Sequence, residues 1–194
     1  MEEVSKKRYF ETHYINYEQW YDDHPKEYRE QIEFLRKILP KGKGVEIGVG
    51  TGRFASALGI EYGVDYVSEM VETSRKKGIK GYLSDAANLP FEDKTFDYSF
   101  SIVTMCFLDR PLEALKESRR IAREVITVIL DRDCEYIQNI MRNPRGFYRY
   151  ATFYNEKELT EMYREAGFTR VRVISEVFET TDGQKYKMVA VFGK

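Results

Sequence analysis

Three glycines on alternate positions, Gly48, Gly50 and Gly52, follow the short run Val45-Glu46-Ile47 and lead into Arg53-Phe54, where a helix begins. Glycine leaves backbone open to a ligand and tolerates the φ values such a turn needs, and the helix start beyond it offers unpaired amides. The pattern predicts a cradle for a ligand that touches backbone. Its spacing excludes the dinucleotide fingerprint G-x-G-x-x-G, because the third glycine follows the second by two positions. The alternative, a tight turn that binds nothing, leaves the acidic residues downstream without a purpose.

Two of those residues stand where a ligand would need them. Asp65 follows the apolar strand Tyr62–Val64, and a carboxylate there accepts from two vicinal hydroxyls at once; the competing reading is a helix N-cap. Asp85 opens Asp85-Ala86-Ala87-Asn88-Leu89-Pro90-Phe91, with Phe96-Asp97 beyond it. In this order the segments resemble the class I S-adenosylmethionine-dependent methyltransferases. The first motif of that family has the form acidic residue, x, Gly, x, Gly, x, Gly, and Glu46 supplies the acidic residue. The resemblance covers about residues 9 to 170. It implies an enzyme that binds S-adenosylmethionine through Glu46, Gly48, Gly50 and Gly52, with Asp65 on the ribose, Met70 against adenine, and Asp85 and the Ala86 amide on the adenine edge. Tyr66, Ser101 and Trp20 complete the implied contacts, Trp20 at the methionine end. A core role is the competing reading for Met70.

Departures from the family pattern bear on the acceptor. In Ser101-Ile102-Val103-Thr104-Met105-Cys106-Phe107-Leu108, Cys106 and Phe107 stand where many small-molecule relatives carry a histidine pair. Cys106 reads as a small buried hydrophobe rather than a nucleophile. No catalytic residue is assigned; of the two histidines, His13 is the better candidate and His24 the weaker. A sulfonium is already an excellent leaving group, so in-line displacement needs positioning more than an acid-base pair. Two dense aromatic groups, Tyr9 to Tyr21 and Phe147 to Tyr154, suggest an enclosed, partly apolar acceptor site or simply packing of cap segments. Arg142, Arg145 and Arg149 could contact RNA, but solvated charge is the commoner use of such a run. Methylation of a small molecule, methylation of a macromolecule, and cofactor binding without catalysis all remain open, with the first preferred.

The elements that must hold these residues alternate. Helical periodicity over Glu27–Leu39 places Tyr28, Ile32, Leu35 and Leu39 on one face. Strands are expected at Gly44–Ile47, Tyr62–Val64, Gly81–Ser84, Phe96–Ile102 and Val125–Leu130, separated by helices after Gly52, over Ser68–Lys77 and over Leu112–Ile121. Asp131–Thr152 is polar and aromatic and breaks the alternation; Asn155 then caps a helix ending at Ala166-Gly167. Strands Arg170–Phe178 and Tyr186–Phe192 flank Thr181-Asp182-Gly183 as an antiparallel hairpin. The fold class is a three-layer α/β, Rossmann-like arrangement: a mostly parallel sheet with an antiparallel C-terminal edge hairpin. Residues 1–194 are read as one domain, with 1 to about 40 as a helical cap.

Composition bounds the rest. Thirty-one basic against 32 acidic residues give a net charge of −1, without the positive field of a dedicated nucleic-acid binder. The two cysteines, Cys106 and Cys134, have no metal-ligand spacing, so neither a metal site nor a disulfide framework is expected. Apolar runs are too short for a membrane span, and the charged start, with Glu2, Glu3, Lys6 and Lys7, is unlike a secretory leader, which points to a cytoplasmic protein. Oligomeric state is not readable.

Overall fold

Alternation of short apolar strands with amphipathic helices produces one seven-stranded sheet in the computed structural model, which describes residues 5–194. Glu2 and Glu3 lie outside the described residues. The strands are β1 (Gly44–Ile47), β2 (Tyr62–Asp65), β3 (Lys80–Leu83), β4 (Phe96–Ile102), β5 (Ala122–Leu130), β6 (Val171–Glu179) and β7 (Lys185–Gly193), in the order β3-β2-β1-β4-β5-β7-β6. Neighbours among β1 to β5 pair in parallel. Only β7 is reversed, antiparallel to both β5 and β6, so the hairpin inserts its second strand and leaves β6 at the edge. The chain order reverses between β1 and β4, and in open α/β sheets the crevice at that switch point, beyond the carboxyl ends of the strands, is where ligands bind.

Burial follows strand position. β5 is covered on both faces: Ile126, Val128 and Leu130 join one apolar cluster while Val125 and Ile129 join another. The first cluster is completed by Phe34 and Leu35 of α2 (Pro25–Ile38) and by α3 (Arg53–Leu58). The second holds Leu115 of α5 (Pro111–Ile121) and Leu159 and Tyr163 of α7 (Glu156–Glu165). Three layers result. Tyr163, wholly buried, satisfies its hydroxyl by donating to Thr127 Oγ1 at 2.7 Å.

The helix ends have local causes. Pro25 and Pro111 occupy first-turn positions, where a missing N–H costs nothing. Asn155 and Glu158 form a reciprocal capping box at the start of α7. Two expectations are refined. α2 packs into a layer through Ile32, Phe34 and Leu35 while its Glu27 and Gln31 line one end of the crevice, and α1 (Lys6–Asp23) lies over the crevice, packed on α4 (Ser68–Lys76) through Phe10 and Met70. Asp131–Thr152 contains a helix, α6 (Glu135–Arg142), anchored by buried Ile137, and a single 3₁₀ turn over Gly146–Tyr150. Among the described residues no helix is long and apolar enough to cross a membrane.

Candidate active site

The glycine turn and Asp65 form one unit. Gly48 and Val49 donate their amides to the Val64 carbonyl, both at 2.8 Å, joining the end of β1 to β2. The Gly50 amide donates to Asp65 Oδ2 at 2.9 Å and the Val67 amide to Oδ1 at 3.0 Å. Asp65 thus organises the turn and the entry to α4, and each of its oxygens keeps a lone pair for a further donor. Burial raises its pKa to about 6, outweighing the amides that favour the charged form. Gly48 has φ +73°, and a Cβ there would overlap Thr104 Cγ2, so only glycine fits both the turn and its neighbour.

Glu46 and Asp85 differ in environment. Alternation along β1 sends Val45 and Ile47 to one face of the sheet and Glu46 to the other, where it is 1% exposed. Burial pushes the Glu46 carboxyl well above its usual range despite an amide from Ala55, and its Oε2 has no protein partner. For Asp85 burial raises the pKa, but the Ala87 amide (2.8 Å) and the Arg110 guanidinium (2.8 Å) together hold it below the ordinary value.

A cavity of about 740 Å³ opens above the switch point. Trp20, Gly48, Gly50, Asp65, Tyr66, Met70, Asp85 and Ala86 all line it. Glu46, Gly52 and Ser101 do not. Gly52 begins α3 and backs onto Ser74, while Glu46 sits beneath the turn. Ser101 points the other way: Phe100 and Ile102 of β4 face the cluster under α2, so Ser101 falls on the opposite face, beside a separate small pocket with Thr127 and Ser118.

The roof is aromatic. Phe10 of α1 meets Phe107 and Phe147 at ring-centre distances of 5.2 and 4.8 Å, and Tyr17 meets Phe147 edge-on at 5.9 Å, closing α1 onto the Gly146–Tyr150 turn. Tyr21 donates its hydroxyl to that of Tyr17 at 2.8 Å. Val103, a β-branched residue held at φ +51°, lies in the cavity wall; such strain persists only where the surroundings enforce it. Cys106 lies off the cavity, its thiol pushed up to about 12 by burial.

The two histidines sit differently relative to the cavity. His13 stacks on Tyr9 at 4.0 Å with Nδ1 beside Tyr9 O, and does not line the cavity. His24, at the α1–α2 junction, does line it. His24 Nδ1 lies 2.8 Å from Trp20 O; a carbonyl only accepts, so Nδ1 carries the proton and Nε2 keeps its lone pair in the neutral ring. Sequence reasoning also missed much of the far end of the cavity: Glu27 and Gln31 of α2, Tyr136, Tyr186 and the Thr180–Asp182 turn. Glu27, Gln31 and Leu35 share one helical face in the sequence, but only the structure shows that all three are buried.

Comparison with known proteins agrees with this geometry. The methyltransferase domain family profile matches residues 45–126. An S-adenosylmethionine-dependent methyltransferase from Thermotoga maritima, described as a possible histamine N-methyltransferase, is 34% identical with a TM-score of 0.88, over 95% of this chain and 97% of that one. An uncharacterized protein of Methanocaldococcus jannaschii is 34% identical over 89% of this chain and 87% of its own. Demethylmenaquinone methyltransferase of Staphylococcus aureus is 29% identical, over 75% of this chain and 78% of its own.

Proposed function

The chain belongs to the class I S-adenosylmethionine-dependent methyltransferases, and from that we propose that it methylates a small, intrinsically nucleophilic molecule enclosed between the glycine turn and the aromatic roof. The cavity carries this reading: its volume suits a cofactor plus a small acceptor, and α1 and the Gly146–Tyr150 turn close over it ring against ring. Its charge adds support. Asp23, Glu27, Asp65, Asp85, Asp109 and Asp182 line it against Arg110 and Arg145, a field that repels a phosphate backbone. Arg142 bonds Asn139, and Arg149 lies over the Tyr9 ring. Two relatives, from T. maritima and S. aureus, bear names of small-molecule methyltransferases.

The residues present fit the cofactor. Gly48 and Gly50 expose bare backbone, Asp65 offers a carboxylate, and the buried Tyr66 hydroxyl has no protein partner. In this reading Asp65 holds the ribose hydroxyls, Met70 and Tyr66 flank adenine, Asp85 and the Ala86 amide read its edge, and Gly48, Gly50 and Trp20 bound the methionine portion. Glu46 and Gly52 shape the turn from beneath. Bound S-adenosylmethionine supplies a methyl group already activated by its sulfonium. The chain's own part is to hold the acceptor's lone pair about 3–3.5 Å away and in line, while the aromatic roof excludes water. His24 Nε2 can take the proton an acceptor loses.

Incubation with methyl-labelled cofactor and fractionated cell extract tests the reading. Label is expected in the low-mass fraction; label confined to RNA or protein overturns it.

A further inference from the structure

The end of the cavity formed by α2 and the β6–β7 turn contains a buried acidic side chain that forms no salt bridge among the described residues. Glu27 is 4% exposed. Its Oε1 accepts from the Thr181 amide at 2.7 Å and the Thr181 hydroxyl at 2.9 Å, while Oε2 is buried with no protein partner. Burial alone would raise its pKa, but the Thr181 bonds and nearby His24 bring it below the ordinary value, so the group is a carboxylate at neutral pH. An ionised oxygen buried without a donor is costly, and proteins keep one where a ligand supplies the missing partner.

The surroundings specify that partner. Trp20, Tyr136, Tyr148 and Tyr186 line the same cavity, and faces of this kind attract a desolvated cation. Asp182 adds a second carboxylate, and Glu30 a third just behind Tyr186, whose hydroxyl donates to it at 3.0 Å. Among the described residues no lysine or arginine pairs with Glu27: Lys26 donates to the Glu179 carbonyl at 2.6 Å, Lys187 is paired with Asp131 and Glu156, Arg53 with Glu18 and Asp22, and Arg110 with Asp85. His24 is tied by Nδ1 to Trp20 O.

We infer that this end is a receptor for a protonated amine on the methyl acceptor, with Glu27 as its counter-ion and the aromatic side chains as its walls. The inference rests on the small-molecule reading above and narrows it. A protonated nitrogen has no lone pair, so the atom that receives the methyl group is a different one. The acceptor is therefore bifunctional: an ammonium seated at Glu27 and a neutral nucleophile directed toward the glycine turn.

Calorimetry on protein saturated with S-adenosylhomocysteine, using phenethylamine, 2-phenylethanol and 3-phenylpropionate as probes, tests this directly. The protonated amine is expected to bind at least about tenfold tighter than the alcohol, and the carboxylate more weakly than either. Glu27→Gln keeps an acceptor for Thr181 and should bring amine and alcohol within about twofold, with S-adenosylhomocysteine affinity unchanged. Gln31→Lys, one helical turn along α2, supplies an internal ammonium and should also erase the preference. If Glu27→Gln does not fold, the wild-type series and Gln31→Lys decide. Equal binding of amine and alcohol to the wild type, or a preference that survives in both variants, overturns the amine receptor. Failure of the premise reads differently: label in RNA or protein in the extract assay overturns the small-molecule reading itself, whatever the probe series gives.

Discussion

Asp65→Asn separates what the carboxylate does for the cofactor from what it costs the fold. In the native structure its two oxygens accept from the Gly50 and Val67 amides, and burial raises its pKa from 3.8 to about 6. The native state therefore holds a proton more tightly than the unfolded chain between those two values. Stability falls as pH rises through that window, and the penalty is fully present above about 6. The shift corresponds to a penalty on the order of 3 kcal/mol at pH 7. Cofactor binding has the opposite sign, because the ribose hydroxyls need an ionised acceptor. Wild-type affinity for S-adenosylhomocysteine should weaken by up to about tenfold per pH unit below about 6. Asp85, whose pKa is lowered, stays charged there and does not contribute. Asparagine has one acceptor oxygen, so one of the two amides loses its partner while the buried charge disappears. The expected result is affinity at pH 7.5 lower by about 1–3 kcal/mol, a flat affinity profile from pH 5 to 8, and a smaller acid-side rise in stability, what remains being due to buried Glu46. Titration calorimetry across that range, with thermal melts of the ligand-free protein, measures both. A flat wild-type profile, or Asp65→Asn with undiminished affinity, would refute the reasoning.

Other perturbations have equally definite outcomes. Gly48→Ala forces a side chain into φ +73° and onto Thr104; cofactor affinity should fall at least about a hundredfold or the melting temperature by several degrees, and a variant matching wild type in both would remove the cradle. His13→Ala and Cys106→Ala both lie off the cavity and should keep at least about a tenth of wild-type turnover, since loss of a true general base costs about 10²–10⁴-fold. Tyr163→Phe strands the buried Thr127 hydroxyl and should cost about 1–2 kcal/mol in urea unfolding without altering cofactor affinity.

How far these features could be read in advance follows from how local their causes are. The β1 turn and Asp65 were legible because glycine spacing and an acidic residue after an apolar strand are constraints within a few residues. Strand positions came from apolar runs, but which face of β4 meets the crevice depends on the layers around it, so the sequence could name Ser101 as a contact without showing that it lines the small pocket on the opposite face. Which histidine lines the cavity depends on how α1 packs, and α1 departs from helical geometry at His13, φ −119° and ψ 15°, which no spacing rule encodes. Helix α6 has eight residues, too few for a period to emerge among polar neighbours. Glu27 was hidden for a different reason. Its helix was read by its apolar arc, and a buried polar residue beside that arc declares itself only when the β6–β7 turn, over 150 residues away in sequence, closes against it.

The division of the cavity into a donor end at Asp65 and an acceptor end at Glu27 is the central claim, and a crystal structure of the complex with S-adenosylhomocysteine tests it most directly. Asp65 is expected within about 3 Å of both ribose hydroxyls, adenine between Met70 and the Asp85–Ala86 edge, and the space bounded by Trp20, Glu27 and Tyr186 left open. Adenine or ribose seated against Glu27, with Asp65 untouched, would contradict it.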